Sequence, residues 1–387
     1  MFSVVVRPRA IVTPNPEQEI SSSVPIRSGT ARAYTIPTDA PEADGTIAWD
    51  STTMIVVEVQ AGDESGLGYT YAHRTAAVVA RELVEKHCVG KDAMATAALF
   101  VAMRKSQRNY GSGGIGATAL SAVDMALWDL KGKMLGVSLA ALLGTCRESA
   151  PVYGSGGFTT YSDLRLSDQL QGWVDQGIPR VKMKIGTRPE QDPHRVDVAR
   201  QAIGDGPELF IDANGAYSWT QAVHFAELFA AEQNVTWFEE PVSSDDLRGL
   251  AFVREHAPSG MDIAAGEYGW DDIYLKRMMD ASAVDVIQAD ATRCGGVTGF
   301  MHAAALASAH PIPLSAHCGP TVHMHLGCAA PALRHVEYFH DHVRIESMLF
   351  DGFRKAACDG AMHPDFSRPG LGVAFKQQDA ERFADPI

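Results

Sequence analysis

The sequence predicts an α/β protein: a (β/α)8 TIM-type barrel behind an N-terminal α+β capping domain, with a C-terminal tail that completes the cap. Three observations predict it. From about residue 150 onward, short apolar stretches of strand character recur every roughly 20 to 30 residues, the length of one βα unit. The segments between them, such as DPHRVDVARQAIG and WTQAVHFAELFAAE, place apolar residues at helical spacing. Eight such units fill the usual barrel length of about 200 to 250 residues. The expected divisions are a cap over 1–145, a barrel over 146–350 and a segment over 351–387 that packs back on the cap.

The cap reads as a strand, STTMIVVEVQAG, followed by helical stretches that include a long one through ATALSAVDMALWDLKGKMLGVSLAALLG. Before them, TIPTDAPEADGTIAWD (35–50) is rich in Pro, Asp and Gly, and predicts a long mobile loop over an active site. GSGGIG (111–116) matches G-x-G-x-x-G ahead of a helix, but the preceding VAMRKSQRNY is polar and charged. A dinucleotide loop needs a buried strand there, so a plain turn is expected. The barrel strands are VYGSGGF (152–158), RVKMKIG (180–186), LFIDANG (209–215), TWFEEP (236–241), DIAAGE (262–267), VDVIQAD (284–290), IPLSAHC (312–318) and HVEYF (335–339).

Composition narrows the partners. Hydrophobic residues at 46% and charged residues at 21% describe a soluble globular chain with a sizeable core. A net charge of -14 without any Lys/Arg cluster argues against nucleic acid and for small molecules. No apolar run approaches the roughly 18 residues of a membrane span. The N-terminal MFSVVVRPRAIVTPNPEQE is too short in its apolar part for a signal peptide and lacks a small-residue cleavage site. The six cysteines are scattered with no C-x-x-C pair, so free thiols in a reducing cytoplasm are expected.

Alternation along the strands concentrates charge at one rim. Lys182 and Lys184 share a face of RVKMKIG while Val181, Met183 and Ile185 take the other, which puts both lysines inside the barrel. Asp212 with Asn214, Glu239, Glu267, Asp290, His317 and Glu337 arrive at the same C-terminal rim from the other strands, where barrel enzymes place their chemistry. Asp212, Glu239 and Glu267 form an all-oxygen set that suits Mg2+ better than Zn2+. Lys182 and burial are expected to lower the proton affinity of Lys184 and make it a base. Asp290 on an adjacent strand would orient the His317 ring, giving a second acid/base. Glu337 is read as a protonated hydrogen-bond donor or as a salt-bridge partner. Glu240 would face away under strict alternation, and His323 and His325 fall in the helix after the seventh strand, where packing or capping explains them.

A cation flanked by a lysine and a histidine suits removal of the weakly acidic proton next to a carboxylate. At this point the sequence resembles the enolase superfamily, and within it the mandelate racemase subgroup. The resemblance covers nearly the whole chain: ALWDLKGK and LLG in the cap, then KMKIG, DANG, FEEP, the Glu267 strand, Asp290 followed by GGVTG, SAH, Glu337 and PGLG. It implies Asp212, Glu239 and Glu267 as Mg2+ ligands, and Lys184 and the His317–Asp290 dyad as the acid/bases. It further implies Lys182, Asn214 and Glu337 as contacts to the substrate carboxylate or the enediolate. Arg293 in DATRCGG stands where a lysine is common in relatives.

Relatives with both the K-x-K and His/Asp pairs resemble acid-sugar dehydratases, which implies a hydro-lyase giving a 2-keto-3-deoxy sugar acid. A racemase or epimerase of a 2-hydroxy acid, or a cycloisomerase of a sugar-acid lactone, would use the same two bases. A non-catalytic binding protein would have little reason to keep every rim residue, and a zinc hydrolase would want histidines in VYGSGGF. The resemblance also implies a homo-oligomer. The absence of an arginine clearly placed for a distal carboxylate favours a mono-acid over a diacid.

Overall fold

The N-terminal sheet grows from long runs of β-branched and aromatic residues. In the computed structural model, which describes residues 23–386, β1 (Ile26–Ala43), β2 (Ala48–Ala61) and β3 (Glu64–Tyr71) form an antiparallel meander. The stretch read for a signal peptide, residues 1–19, lies outside the described residues. The expected mobile loop over 35–50 is instead a β-hairpin. Asp44 closes its turn, its Oδ1 accepting from the backbone N–H of Thr46 at 2.6 Å and of Ile47 at 2.8 Å. Pro37 and Pro41 have no N–H to give the ladder; Pro37 still stands opposite Ser51, and the register shift between Pro37 and Glu42 takes up Pro41.

Four helices follow, α1 (Thr75–Leu83), α2 (Thr96–Ser106), α3 (Ile115–Leu135) and α4 (Leu139–Leu143). GSGGIG comes after α2 and a single 3-10 turn, with no strand before it, as a plain turn requires. Helix α3 is buried on nearly every side and lies directly on β3. A Cβ on Gly68 would meet the Ala122 carbonyl at 2.0 Å, so only glycine permits this approach.

The barrel then alternates β4 (Ala150–Gly156), α5 (Asp163–Asp175), β5 (Arg180–Lys184), α6 (Asp192–Ile203), β6 (Glu208–Asp212), α7 (Trp219–Gln233), β7 (Val235–Glu239) and α8 (Leu247–His256). It continues through β8 (Asp262–Ala265), α9 (Asp272–Asp280), β9 (Val286–Ala289), α10 (Gly296–Ala309), β10 (Leu314–Ala316), α11 (Pro320–Ala329), β11 (Leu333–Phe339) and α12 (His340–Leu349). Neighbouring strands pair in parallel, and β11 closes on β4. Outward residues such as Val181, Met183, Ile211 and Phe238 join the helices in the main core. Inward ones, Tyr153, Phe210, Trp237, Ala264 and Val286, fill the barrel below the polar rim. Among the described residues, no helix is long and apolar enough to cross a membrane, and the six cysteines are free thiols.

The tail carries β12 (Phe350–Asp351), β13 (Ala361–Met362), β14 (Ala374–Phe375) and α13 (Gln377–Ala380). It ties both parts together: β13 pairs with β4, and Asp385 donates its N–H to Ala33 in the cap at 3.0 Å. Asp129 of α3 sits at this junction, fully buried. Its carboxylate accepts from the N–H of Leu67 on β3 at 2.7 Å and of Leu371 in the tail at 2.6 Å, and pairs with Lys133 at 2.7 Å. Asp129→Ala leaves two buried donors without an acceptor and Lys133 without its counter-charge, and is expected to cost about 3 kcal/mol. Urea unfolding checks this: the midpoint should fall at unchanged slope, and a midpoint equal to wild type would show the junction to be energetically idle.

Candidate active site

Barrel strands bring a buried polar residue to the inward face near the mouth, on β4, β6 and β7 two residues after the apolar one in the floor. On β5 that residue is Lys182, fully buried, with its Nζ 2.6 Å from Glu239, 2.8 Å from Glu337 and 3.3 Å from Asp212. Lys184 follows, 2.5 Å from Asp212 on β6. Burial is the strongest single pull on its ammonium, but Asp212, joined by Glu267 and Glu239, outweighs it, and the group is held above its ordinary value. The expected lowering of Lys184 is therefore not what these residues alone produce. Lys182 opposes the ammonium as foreseen, yet the carboxylates around it carry more charge.

Asp212, Glu239 and Glu267 are buried and offer oxygens that all lie within 4.8 Å of one another. Burial and the neighbouring Asp212 push Glu239 up to about 8 even against Lys182. An all-oxygen set this close, with surplus negative charge, has the donor chemistry of a hard divalent cation. Glu240 departs from the alternation expectation. Its φ of 38° turns the chain at the end of β7, and its buried carboxyl is raised well above the usual range by burial and by Glu267 and Asp212. Its Oε1 has no hydrogen-bond partner.

Across the mouth, His317 Nδ1 lies 2.9 Å from Asp290 Oδ2, as expected for adjacent strands. Its Nε2 lies 3.0 Å from Glu267, 3.3 Å from Cys318 Sγ and 3.5 Å from Glu337. Burial alone would lower the imidazolium, but Cys318, Glu267 and Glu337 together raise it well above its ordinary value. Asp290 resists burial through its hydrogen bond to His317 and drops to about 2. Glu337 accepts from Ser155 Oγ at 2.6 Å and from the Cys318 N–H at 3.0 Å. Burial would raise it, yet Lys182 and His317 hold it below the usual carboxylate range, so among these residues alone Glu337 stands as a salt-bridge partner and not as a protonated donor. It is an ionised partner of Lys182.

The histidine pair on α11 is structural. His323 bonds the Ala291 N–H at 2.9 Å and the Cys318 carbonyl at 2.7 Å, and His325 meets the Leu371 carbonyl at 3.0 Å. Arg293 turns back into the site, 3.2 Å from the Glu267 carbonyl oxygen and stacked on Tyr268 at 5.2 Å. Three non-glycine residues just past strand ends adopt left-handed backbone, Asn214 (φ 46°), Glu240 (φ 38°) and Cys318 (φ 51°). Such strain gathers at functional sites.

The cleft above has a volume of about 230 Å3 and opens to solvent. Lys184, Asn214, Glu267, Arg293 and His317 line its floor, and the hairpin adds Asp44, Ile47 and Trp49. Sequence reasoning missed Ser155, Tyr268, Cys318 and Trp49. Cys318 stands beside His317 in SAHC, but strict alternation aims it outward, and only the left-handed turn brings it in.

The C-terminal part, residues 165–380, matches the enolase C-terminal domain-like family model, and residues 34–144 match the N-terminal domain of mandelate racemase and muconate lactonizing enzyme. The chain belongs to this mandelate racemase/muconate lactonizing enzyme family of the enolase superfamily. It is 33% identical to D-galactarolactone cycloisomerase of Agrobacterium fabrum, over 72% of this chain and 74% of that one. It is 30% identical to L-talarate/galactarate dehydratase of Salmonella typhimurium, over 84% of this chain and 81% of the relative. The crystal structure of that dehydratase with Mg and L-lyxarohydroxamate superposes with a TM-score of 0.87, covering 98% of this chain and 97% of the other, at 26% identity. A mandelate racemase/muconate lactonizing enzyme-like protein from Rubrobacter xylanophilus is 48% identical, with a TM-score of 0.89 over 93% of this chain and all of that one.

Within this family member the hairpin is held by a neutral acid. Trp49 donates from Nε1 to Glu42 at 2.8 Å, and burial together with Asp341 pushes Glu42 up to about 8. Between about pH 4.5 and 8 the folded chain thus keeps a proton that the unfolded chain has released, and stability falls as pH rises through that window. Glu42→Gln keeps an acceptor for Trp49 and removes the titration. Its thermal midpoint should fall less than that of wild type between about pH 5 and 9, and equal falls would show that Glu42 does not titrate there.

Proposed function

We propose that this chain is a Mg2+-dependent dehydratase of a sugar acid, which removes the proton next to the carboxylate and expels the β-hydroxyl to give a 2-keto-3-deoxy sugar acid. The observation that carries the reading is that Lys184 and His317 line one cleft with Glu267, whose carboxylate gathers with those of Asp212 and Glu239. The dehydratase relative bound to Mg supports it. Asp212, Glu239 and Glu267 would hold the cation, and their oxygen-only donors fit it. When bound, Mg2+ supplies positive charge to the oxygens of a substrate carboxylate, where negative charge gathers as the proton leaves.

Lys182 adds a fixed, buried positive charge to the same face and is kept in place by Glu337. Lys184 serves as base once it has shed its own proton, a loss that burial and Lys182 favour when Asp212 is engaged elsewhere. The C–H bond breaks toward Lys184. His317, protonated and oriented by Asp290, delivers a proton from Nε2 as the β C–O bond breaks, so that hydroxide leaves as water and the enol settles to the keto acid. Asn214 lines the cleft beside Lys184 and would contact substrate oxygens. The similarity to D-galactarolactone cycloisomerase favours a second reading, in which the same pair opens a sugar-acid lactone.

A library of sugar mono-acids, diacids and lactones, incubated with Mg2+ in D2O, separates the readings. Keto-acid formation is expected. Deuterium uptake without keto acid would replace dehydration by proton transfer, and turnover of lactones alone would select the cycloisomerase. Lys184→Ala and His317→Asn should each lower kcat/KM at least about 100-fold, and near-normal activity in either removes that residue from the chemistry. Dialysis against EDTA should abolish turnover and Mg2+ should restore it. Asp212→Asn should weaken calorimetric Mg2+ binding about 10-fold or more, and undiminished binding would move the cation elsewhere.

A further inference from the structure

The three-carboxylate cluster does not exhaust the ligands at the barrel mouth. His317, Cys318 and Glu337 are buried and form a second triangle of donor atoms. Its edges are 3.3 Å from Nε2 to Sγ, 3.4 Å from Sγ to Glu337 Oε2 and 3.5 Å from Oε2 to Nε2. Tetrahedral Zn2+, with bonds of about 2.0 to 2.3 Å, spaces its ligands by about 3.3 to 3.7 Å. We propose that His317, Cys318 and Glu337 are a preformed three-ligand site for a thiophilic divalent cation such as Zn2+, with a fourth position open to the cleft.

The surroundings have the features such a site needs. Nδ1 of His317 is engaged by Asp290, which leaves Nε2 as the ligating nitrogen and supplies the carboxylate that commonly backs a metal-bound histidine. Glu337 is anchored through Oε1 by Ser155 and Lys182, so Oε2 keeps its direction. The left-handed backbone at Cys318 is what swings the thiol toward the ring instead of out to the helices. Nitrogen and sulfur donors select Zn2+ over Mg2+, whereas the neighbouring oxygen cluster selects the reverse. The two triangles share no residue, although Glu267 lies 3.0 Å from His317 Nε2 between them. Binding displaces two protons to solvent, one from the thiol and one from Nε2 of His317, and takes the lone pair so freed at Nε2. The imidazole then exchanges no protons, so Zn2+ inhibits. That consequence rests on the role proposed for His317, and the binding does not.

Co2+ reports the site directly. Added to the full-length protein with Mg2+ saturating, it should develop a thiolate-to-cobalt charge-transfer absorption with one equivalent, and Zn2+ should bleach it. The band should persist in a variant carrying Cys146→Ser and Cys358→Ser, which removes the two exposed thiols, and vanish in Cys318→Ser. Zn2+ should inhibit turnover, with a half-inhibitory concentration at least about tenfold higher in Cys318→Ser. No band in wild type, or a band that survives Cys318→Ser, overturns the site. A Cys318-dependent band without inhibition upholds the site and counts instead against His317 as an acid/base.

Discussion

The ammonium of Lys182 is the centre on which the barrel mouth is organised. It is wholly buried and lies within 3.3 Å of carboxylates from three other strands, Asp212, Glu239 and Glu337. An isolated charge in such a place would cost several kcal/mol, and so would each carboxylate without it. The arrangement is stable only as a set, and it remains overcharged on the negative side: Glu239 and Glu240 are both pushed up, while Lys184 and His317 are held in their protonated forms. A protein that maintains this surplus has a use for positive charge arriving from outside.

The same crowding accounts for the division of the two candidate acid/bases. Lys184 is raised chiefly by Asp212, a member of the oxygen cluster, so its proton affinity follows whatever occupies that cluster. His317 is raised first by Cys318, then by Glu267, itself a member of the oxygen cluster, and by Glu337, and is fixed by Asp290. Filling the oxygen cluster therefore removes all the groups that raise Lys184, whereas His317 loses only Glu267 and keeps Cys318 and Glu337, and with them a proton for a leaving group. The pairing suits elimination, where one proton is removed and one is given.

Much of this was legible in the sequence, because a period of two leaves little freedom. RVKMKIG sends Lys182 and Lys184 inward and Val181 and Met183 into the helical layer, as alternation requires, and the eight strands close in the expected order. Alternation stops where strands stop. Glu240 and Cys318 follow β7 and β10 in left-handed backbone, which no period describes, and both were misjudged or passed over for that reason. Protonation was harder to read, since the state of Lys184 and Glu337 depends on a balance of several buried charges. The segment 35–50 misled in another way: its Pro, Asp and Gly content describes a loop, but the Asp44-Gly45 pair makes it a hairpin turn flanked by strands.

That hairpin joins the cap to the chemistry by contact with main chain. A Cβ on Gly45 would lie 2.2 Å from the Ala213 carbonyl and 2.7 Å from that of Ile185, so the tip is wedged between the residues that follow Asp212 and Lys184. Thr159 and Thr187, just beyond β4 and β5, bond the Asp44 carbonyl at 3.1 Å and 2.5 Å. Displacing the tip would free the loops that hold a candidate ligand and a candidate base. Substrate selection through Ile47 and Trp49, on the same hairpin, is thereby coupled to the geometry of the reacting groups, because one rigid turn serves both.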